Sequence, residues 1–241
     1  MKKNFFYAAA LAAGLAFSVT ACSDDDTPKE PVDVANIDYT SENATSWNNY
    51  MKAVVTLLLR DASDLYEYWD KSYKGGESYA ETFKNHRAPF NSAGSCVQQV
   101  IDGCVDIAIE VGESKIGDPY SKYQAGDVTE ALYAVESWYS WHSREDYSNN
   151  IVSICNAFCG VRSEAVISGA DIEKSKIAEQ SLYTVLKDNG HQELADNTLS
   201  AIKKAYDKIL AIPQPFRNHI NSPQSLAAQE ACSELSVLLK D

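Results

Sequence analysis

Basic side chains are scarce in this sequence. Its 241 residues include 21 Lys and Arg against 34 Asp and Glu, for a formal net charge of -13. Two of the basic residues, Lys2 and Lys3, precede an apolar leader, so removal of the leader would make the chain more acidic still. An acidic surface repels the phosphates of nucleic acids and of anionic lipids. We therefore expect no nucleic-acid partner and no electrostatic contact with anionic lipid.

Long apolar runs are also missing, apart from one near the N-terminus. Phe5 to Phe17 is apolar but too short for a stable transmembrane span, and it is typical of a secretory leader. It ends in Val19-Thr20-Ala21-Cys22, which resembles the lipobox of bacterial lipoproteins, whose cysteine is acylated and becomes the new N-terminus. This pattern predicts a membrane anchor at Cys22. An ordinary secretory cleavage site, with Cys22 incidental, is the alternative.

A short acidic and proline-containing segment, residues 23–38, follows the cysteine. Its first part, Ser23-Asp24-Asp25-Asp26, resembles the signal that sends some lipoproteins to the outer face of the outer membrane, although it also suits a solvated tether. We predict a surface-exposed, lipid-anchored protein of the cell outer membrane. The predicted organisation is a signal peptide (1–22), a disordered tether (23–38) and a helical domain (39–241).

No cysteine or histidine spacing matches a known zinc pattern, and His-Glu-x-x-His is absent. Five cysteines remain beside Cys22, an odd number that leaves at least one free thiol or an intermolecular bond. We interpret them mostly as small residues filling the core: Cys96, Cys104, Cys155, Cys159 and Cys232.

Alternation at period two is nowhere sustained, whereas apolar residues recur every three or four positions. The predicted fold class is all-α, a helical bundle with two packed sub-bundles at about 39–160 and 161–241. Lys115 to Tyr120 is predicted to be a turn or loop because Gly, Asp and Pro together stop a helix. The predicted helices are Ser46–Lys71, Ser78–His86, Ser92–Val111, Asp127–Gly160, Val161–Lys187, Gln192–Ile212 and Pro223–Lys240.

One histidine and one glutamate carry the chemical hypothesis. On the predicted fourth helix, His142 and Glu145 are three residues apart and project from one face. Such a pair can supply two metal ligands or act as a base with its orienting carboxylate. A half-exposed histidine with an ion-pair neighbour is the structural alternative.

The segment Ser140–Glu145 resembles the G-x-H-x-x-E motif of the imelysin-like family, also called peptidase M75, with Ser140 in place of the glycine. The segment Ala211–Arg217 resembles the family's proline-phenylalanine turn before the last helix, and the similarity extends from about Asn36 to the C-terminus. Cys155 stands where exported members commonly carry arginine. The resemblance implies two packed helical bundles, with the motif near their junction, and a link to iron or haem uptake at the envelope.

Further site residues are expected around this motif. Asp118, Asp146 or His219 would have to complete a metal site, and Trp141, with Trp138 and Tyr139, would line a ligand surface unless these aromatics belong to the core. Arg217 is expected either to bind an anion or to anchor its turn.

Three functions follow from these features. The first is an envelope binding protein for iron or haem, with zinc a weaker cofactor candidate and an envelope protein as an expected partner. The second is a surface interaction module with a vestigial motif, favoured by the substituted glycine and arginine. The third is a metal-dependent peptidase, disfavoured because no complete catalytic set is present.

Overall fold

The computed structural model describes residues 40–138, 140–161 and 173–241, and within them it is helical and contains no strand. This confirms the predicted all-α class. The leader, the lipobox at Cys22, the tether and Tyr139 lie outside the described residues. The α-helices are α1 Ala44–Asp70, α2 Tyr79–Lys84, α3 Ala93–Ile109, α4 Asp118–Gln124, α5 Val128–Tyr133, α6 Ser143–Cys159, α7 Leu182–Asp188, α8 Gln192–Leu210 and α9 Pro223–Leu238.

Serine side chains begin four of these helices. The hydroxyls of Ser78, Ser92, Ser181 and Ser222 each accept a hydrogen bond from the backbone N–H three residues ahead. Ser95 returns the interaction at the start of α3, where its hydroxyl accepts from the Ser92 N–H at 3.1 Å. These bonds satisfy N–H groups that have no partner inside the helix. Local sequence therefore sets these helix starts.

The core is formed where α8 and α9 pack on each other, with α6 against α8 and α3 against α9. Helices from both sides of residue 160 thus contribute to one hydrophobic core. Burial of their apolar side chains is the main favourable term in the folding free energy. The largest fully buried side chains are Ile116, Tyr147, Ile151, Ile154, Leu199, Ile202, Ile209, Ile212, Phe216, Ile220 and Leu235.

All five cysteines interpreted as core residues are buried, and none of them forms a disulfide within the described chain. Cys155 and Cys159 lie one turn apart on α6 with their Sγ atoms 3.8 Å from each other. That separation far exceeds a disulfide bond length of about 2 Å. The thiols therefore pack as small apolar groups.

The loop predicted at Lys115–Tyr120 is wrong, because the chain remains helical there. A π-helical segment, Glu110–Gly117, continues α3 and leads directly into α4, with Pro119 in the first turn, where a missing N–H costs nothing. The glycines serve close packing: a Cβ on Gly112 would lie 2.9 Å from Cys232 Cβ, and one on Gly117 would lie 2.8 Å from the Gly112 carbonyl oxygen. Contact with α9 therefore explains why these residues do not break the helix.

The prediction of a single helix over Val161–Lys187 is also wrong for residues 173–181. Residues 173–181 contain only a short 3-10 turn, Lys174–Lys176, before Ser181 begins α7. The segment instead folds back on the end of α6, where the Ala178 N–H donates to the Cys159 carbonyl at 3.0 Å. Gly160 ends α6 at φ +65°, and a Cβ there would lie 2.8 Å from the Gln180 carbonyl oxygen. Residues 162–172 of the predicted helix lie outside the described residues.

The predicted helix Asp127–Gly160 is interrupted, and the interruption falls on the motif. After α5 the chain makes turns through residues 134–138 and 140–142, with Ser137 at φ +55° and Trp141 at φ +62°. Positive φ values are incompatible with a continuing right-handed helix. Helix α6 starts only at Ser143, so the histidine precedes it.

Candidate functional site

The His142 and Glu145 pair lies at the N-terminus of α6. His142 is the N-cap residue, with φ -101° and ψ 16°, and its side chain is 68% exposed. Two hydrogen bonds connect the turn before His142 to the first turn of α6. The Ser143 hydroxyl donates to the Glu136 carbonyl at 2.6 Å, and the Ser137 hydroxyl donates to the Asp146 carboxylate. His142 and Glu145 therefore lie close together at the end of a helix, and not on one face of a continuous helix as the sequence predicted.

The Glu145 carboxylate is fixed by donors on one oxygen. Its Oε1 accepts hydrogen bonds from Arg144 Nε at 3.1 Å and Nη2 at 2.7 Å, and from the Gln214 side-chain amide. Its Oε2 is enclosed, has no hydrogen-bond donor among the described residues and lies 4.0 Å from His142 Nδ1. One oxygen thus positions the carboxylate and the other faces the imidazole.

This arrangement keeps the carboxylate ionised. Partial burial opposes ionisation, but the hydrogen bonds and charge of Arg144, with a smaller contribution from His142, outweigh it and hold the pKa of Glu145 below its ordinary value. A negative charge near the first turn of α6 also suits the positive end of the helix dipole. The site therefore presents an anionic oxygen to the ring of His142.

Arg144 connects the motif to the turn after α8. Its Nη1 donates to the carbonyl oxygens of Leu210 at 3.1 Å and Ile212 at 3.3 Å. Arg144 and Gln214 were not anticipated from the sequence, because no local pattern pairs residues 66 to 69 positions apart. The prolines in segment 211–217 indicate a turn after α8, but they do not indicate that this turn contacts Arg144 and Glu145.

Arg217 lies in the same region and is buried. Its guanidinium carbon is 4.8 Å from the ring centroid of Trp138 and 4.5 Å from that of Trp141, and its Nη1 donates to the Trp138 carbonyl at 3.4 Å. These contacts give Arg217 a role in joining its turn to the 134–142 segment. Its predicted ligand-binding role, like that of Trp141, stays a prediction.

The other candidate ligands engage different neighbours. Asp118 forms an ion pair with Lys122 on α4, the Asp146 carboxylate accepts from Ser137, and the His219 carbonyl accepts from the Ser225 hydroxyl at 3.0 Å. Within residues 40–138, 140–161 and 173–241, no group of three or more His, Cys, Asp or Glu side chains could hold a metal ion. The described chain therefore offers His142 and Glu145 as a pair and does not complete a metal cage around them.

The separation within the pair limits what it can coordinate. Two ligands at about 2.1 Å from one metal ion lie roughly 3.4 Å apart in tetrahedral geometry and about 3.0 Å apart at adjacent octahedral positions. The observed distance between His142 Nδ1 and Glu145 Oε2 is 4.0 Å. Joint coordination therefore needs the exposed imidazole to move closer to Glu145. So does a hydrogen bond of about 2.8 Å from Nδ1–H to Oε2, which would orient the ring for coordination through Nε2.

Comparisons with known proteins agree with this fold. The sequence model of the imelysin family, classed as peptidase M75, matches residues 24–241. The solved structure of an imelysin peptidase from Bacteroides ovatus is 53% identical with a TM-score of 0.74, covering 87% of this chain and 56% of that one. A protein from Parabacteroides distasonis, described as an iron-regulated protein A precursor, is 33% identical with a TM-score of 0.69, covering 80% of this chain and 54% of that one.

The chain thus spans little more than half the length of these two solved relatives. No curated protein matches it. The family match nevertheless covers most of the sequence, from the predicted tether to the C-terminus. The chain therefore belongs to the imelysin family.

Proposed function

We propose that this protein is a lipid-anchored outer-membrane protein, displayed at the cell surface, that binds iron in an envelope acquisition system. The iron would arrive with ligands of its own, as a chelate or as haem. A relative described as iron-regulated supports the link to iron, and the lipobox ending at Cys22 supports the location. In the described residues no helix is long and apolar enough to cross a membrane.

The observation that carries the proposal is the relation between Glu145 and His142. A carboxylate oxygen without a hydrogen-bond donor faces Nδ1 of an exposed imidazole, while the other oxygen is held by Arg144 and Gln214. Metal-binding histidines commonly donate one ring N–H to a carboxylate, which sets the tautomer and leaves the other nitrogen for the metal. Because the His142 ring is exposed, it is accessible to a large iron species such as haem or an iron chelate.

Residues 40–138, 140–161 and 173–241 offer no further metal ligands beside the pair, which suits iron that arrives with ligands of its own. A free divalent ion held by two side chains binds weakly, because a closed site uses four or more donors. Haem or an iron chelate already fills most coordination positions and needs one axial ligand from the protein. One exposed imidazole with a carboxylate beside it is therefore suited to captured iron rather than to a resident structural metal.

A peptidase activity receives less support. A zinc peptidase site uses three protein ligands and an activated water. No such group occurs in the parts of the chain that the structure describes. The surface interaction module is the stronger alternative, because Arg144 and Glu145 also tie α6 to the turn after α8.

Titration of the mature, unlipidated chain with iron(II), iron(III), zinc and haem tests the proposal. We expect one equivalent of an iron species to bind, with zinc weaker. His142→Ala should abolish binding, and Glu145→Gln should weaken it by roughly 10- to 100-fold, as expected for an orienting carboxylate. Calorimetry and the absorption spectrum of the haem report the binding.

His191→Ala is the matched control, because His191 is also the N-cap residue of a long helix, α8. It should leave iron binding unchanged. Equal iron binding by wild type and His142→Ala would exclude the proposed site. No binding of any iron species would favour the interaction module.

A further inference from the structure

Helix α1 carries a row of apolar side chains that lies outside the hydrophobic core of the described chain. None of its 27 residues is buried, and none belongs to the hydrophobic core of the described chain. At helical spacing, seven apolar positions fall on one face. We call this row the α1 stripe; it consists of Trp47, Met51, Val54, Leu58, Ala62, Leu65 and Trp69.

The α1 stripe is symmetric about its central residue. Going outward from Leu58 in either direction, the next members are four, seven and eleven residues away. When two such helices lie antiparallel with Leu58 against Leu58, Met51 is opposite Leu65 and Trp47 is opposite Trp69. A two-fold axis requires this kind of self-complementary surface.

The charges of α1 favour the same orientation. Its first part, residues 44–59, has Lys52 as its one charged side chain, whereas residues 60–70 contain Arg60 and four carboxylates. Parallel pairing would place the two acidic halves side by side and Asp61 next to its copy. Antiparallel pairing places each acidic half beside the half bearing Lys52 and the positive end of the partner's helix dipole.

The α1 stripe is long enough for a dimer interface. A helix of 27 residues is about 40 Å long. Five of the seven stripe residues are large apolar side chains that are 37% to 65% exposed, so pairing would remove apolar surface from water along the length of the stripe. The end of the stripe is attached to the rest of the domain, since the rings of Trp69 and Tyr79 meet edge to face at 4.9 Å between centroids.

We propose that the α1 stripe is a homodimer interface, in which two copies of this chain pair through antiparallel α1 helices centred on Leu58. Burial of the stripe supplies the hydrophobic free energy of association. At a membrane, two chains anchored in the same plane would meet at a raised effective concentration.

Light scattering and analytical ultracentrifugation of the mature, unlipidated chain test the proposal with a pair of adjacent variants. Leu58 and Leu59 are 65% and 68% exposed, but Leu59 lies outside the stripe. We expect a dimer for the wild type and for Leu59→Arg. Leu58→Arg should raise the dissociation constant by roughly 100-fold or more, because it places a charge at the centre of the interface.

Circular dichroism should show the same helix content for both variants, since neither side chain is buried. A chain that stays monomeric at high concentration, or one that dimerises equally well with Leu58→Arg, would overturn the proposal. So would equal loss of the dimer from both variants.

Cross-linking tests the orientation. A chain with Met51→Cys mixed with one carrying Leu65→Cys should form a disulfide-linked heterodimer, because these positions are opposite each other in an antiparallel pair. Both chains are made without Cys22, and the five remaining native thiols are buried and contribute little background. Linked homodimers of the Met51→Cys chain alone would instead indicate parallel helices and contradict the proposed geometry.

Discussion

The guanidinium carbon of Arg217 lies 4.5 Å from the ring centroid of Trp141, a residue held at φ +62° in the turn before α6. Arg217 follows α8 in the chain and is 5% exposed, so this contact joins two segments that are distant in sequence. It also places the turn beside the His142 and Glu145 pair. The shape of the candidate site therefore depends on a cation–π contact between the motif and a residue distant in sequence.

Removal of this ring should destabilise the protein. We expect Trp141→Ala to lower the free energy of unfolding by about 1–2 kcal/mol, because the buried guanidinium of Arg217 loses a stacking surface. Trp141→Phe should lose less, since it retains a ring at that position. Urea unfolding followed by circular dichroism measures both, and equal losses from the two variants would show that stacking is not the cause.

Gly112 should tolerate no side chain. A Cβ there would lie 2.9 Å from Cys232 Cβ on α9. We expect Gly112→Ala to destabilise the fold by about 1–3 kcal/mol through overpacking. Gly103→Ala is the control: nothing lies within 4 Å of its added Cβ, so this change inside α3 should stabilise the protein by about 0.5–1 kcal/mol. Thermal or urea unfolding of the two variants should give opposite signs, and stabilisation by both would contradict the close contact with α9.

The stability of the protein should fall in acid partly through Glu145. The pKa of this carboxyl is lower in the folded state than its ordinary value, despite partial burial, because of Arg144. A lowered pKa contributes stability that is present above the unfolded value of about 4.3 and is lost as pH falls through the folded value. Urea unfolding at several pH values should therefore show a shallower acid limb for Glu145→Gln. An identical slope in wild type and variant would refute the assignment.

The five described cysteines should resist thiol reagents in the folded protein. Burial raises the pKa of Cys104 to about 11 and that of Cys232 to about 12, so these two side chains carry little thiolate at pH 8. Burial also keeps the reagent away from the other three thiols. We expect slow reaction with Ellman's reagent before unfolding and five equivalents afterwards in the mature chain without Cys22. A variant with Ser121→Cys, at an exposed position, provides the reactive control. Rapid labelling of the wild-type chain would show that the core opens readily.

Local sequence was sufficient for most of the helices. The apolar period in Gln192–Ile212 predicts α8 to within two residues, and the N-cap serine Ser92 marks the start of α3. Caps and apolar spacing act over one or two turns, so they can be read without knowing what the helix contacts. The motif also identified His142 and Glu145 as a pair.

Where local sequence rules gave the wrong conformation, contacts between distant segments explain the observed one. The helical sequence pattern continues beyond residue 133, but the chain turns at residues 134–138 and 140–142. There the Ser143 hydroxyl donates to the Glu136 carbonyl, and Arg217 packs against Trp138 and Trp141. At Gly112, the residue type that ordinarily weakens a helix is retained because α9 approaches too closely for a side chain.

The sequence by itself determined the helical class, the family and the two residues of the motif, since each of these is encoded in short spacings. The tertiary structure alone decided that the motif lies at a helix end and that Arg144 and Gln214 hold its carboxylate. It also decided that the apolar face of α1 remains exposed. These outcomes depend on which segments meet after folding, and burial and hydrogen bonding between residues more than 60 positions apart leave no periodic signal in the chain.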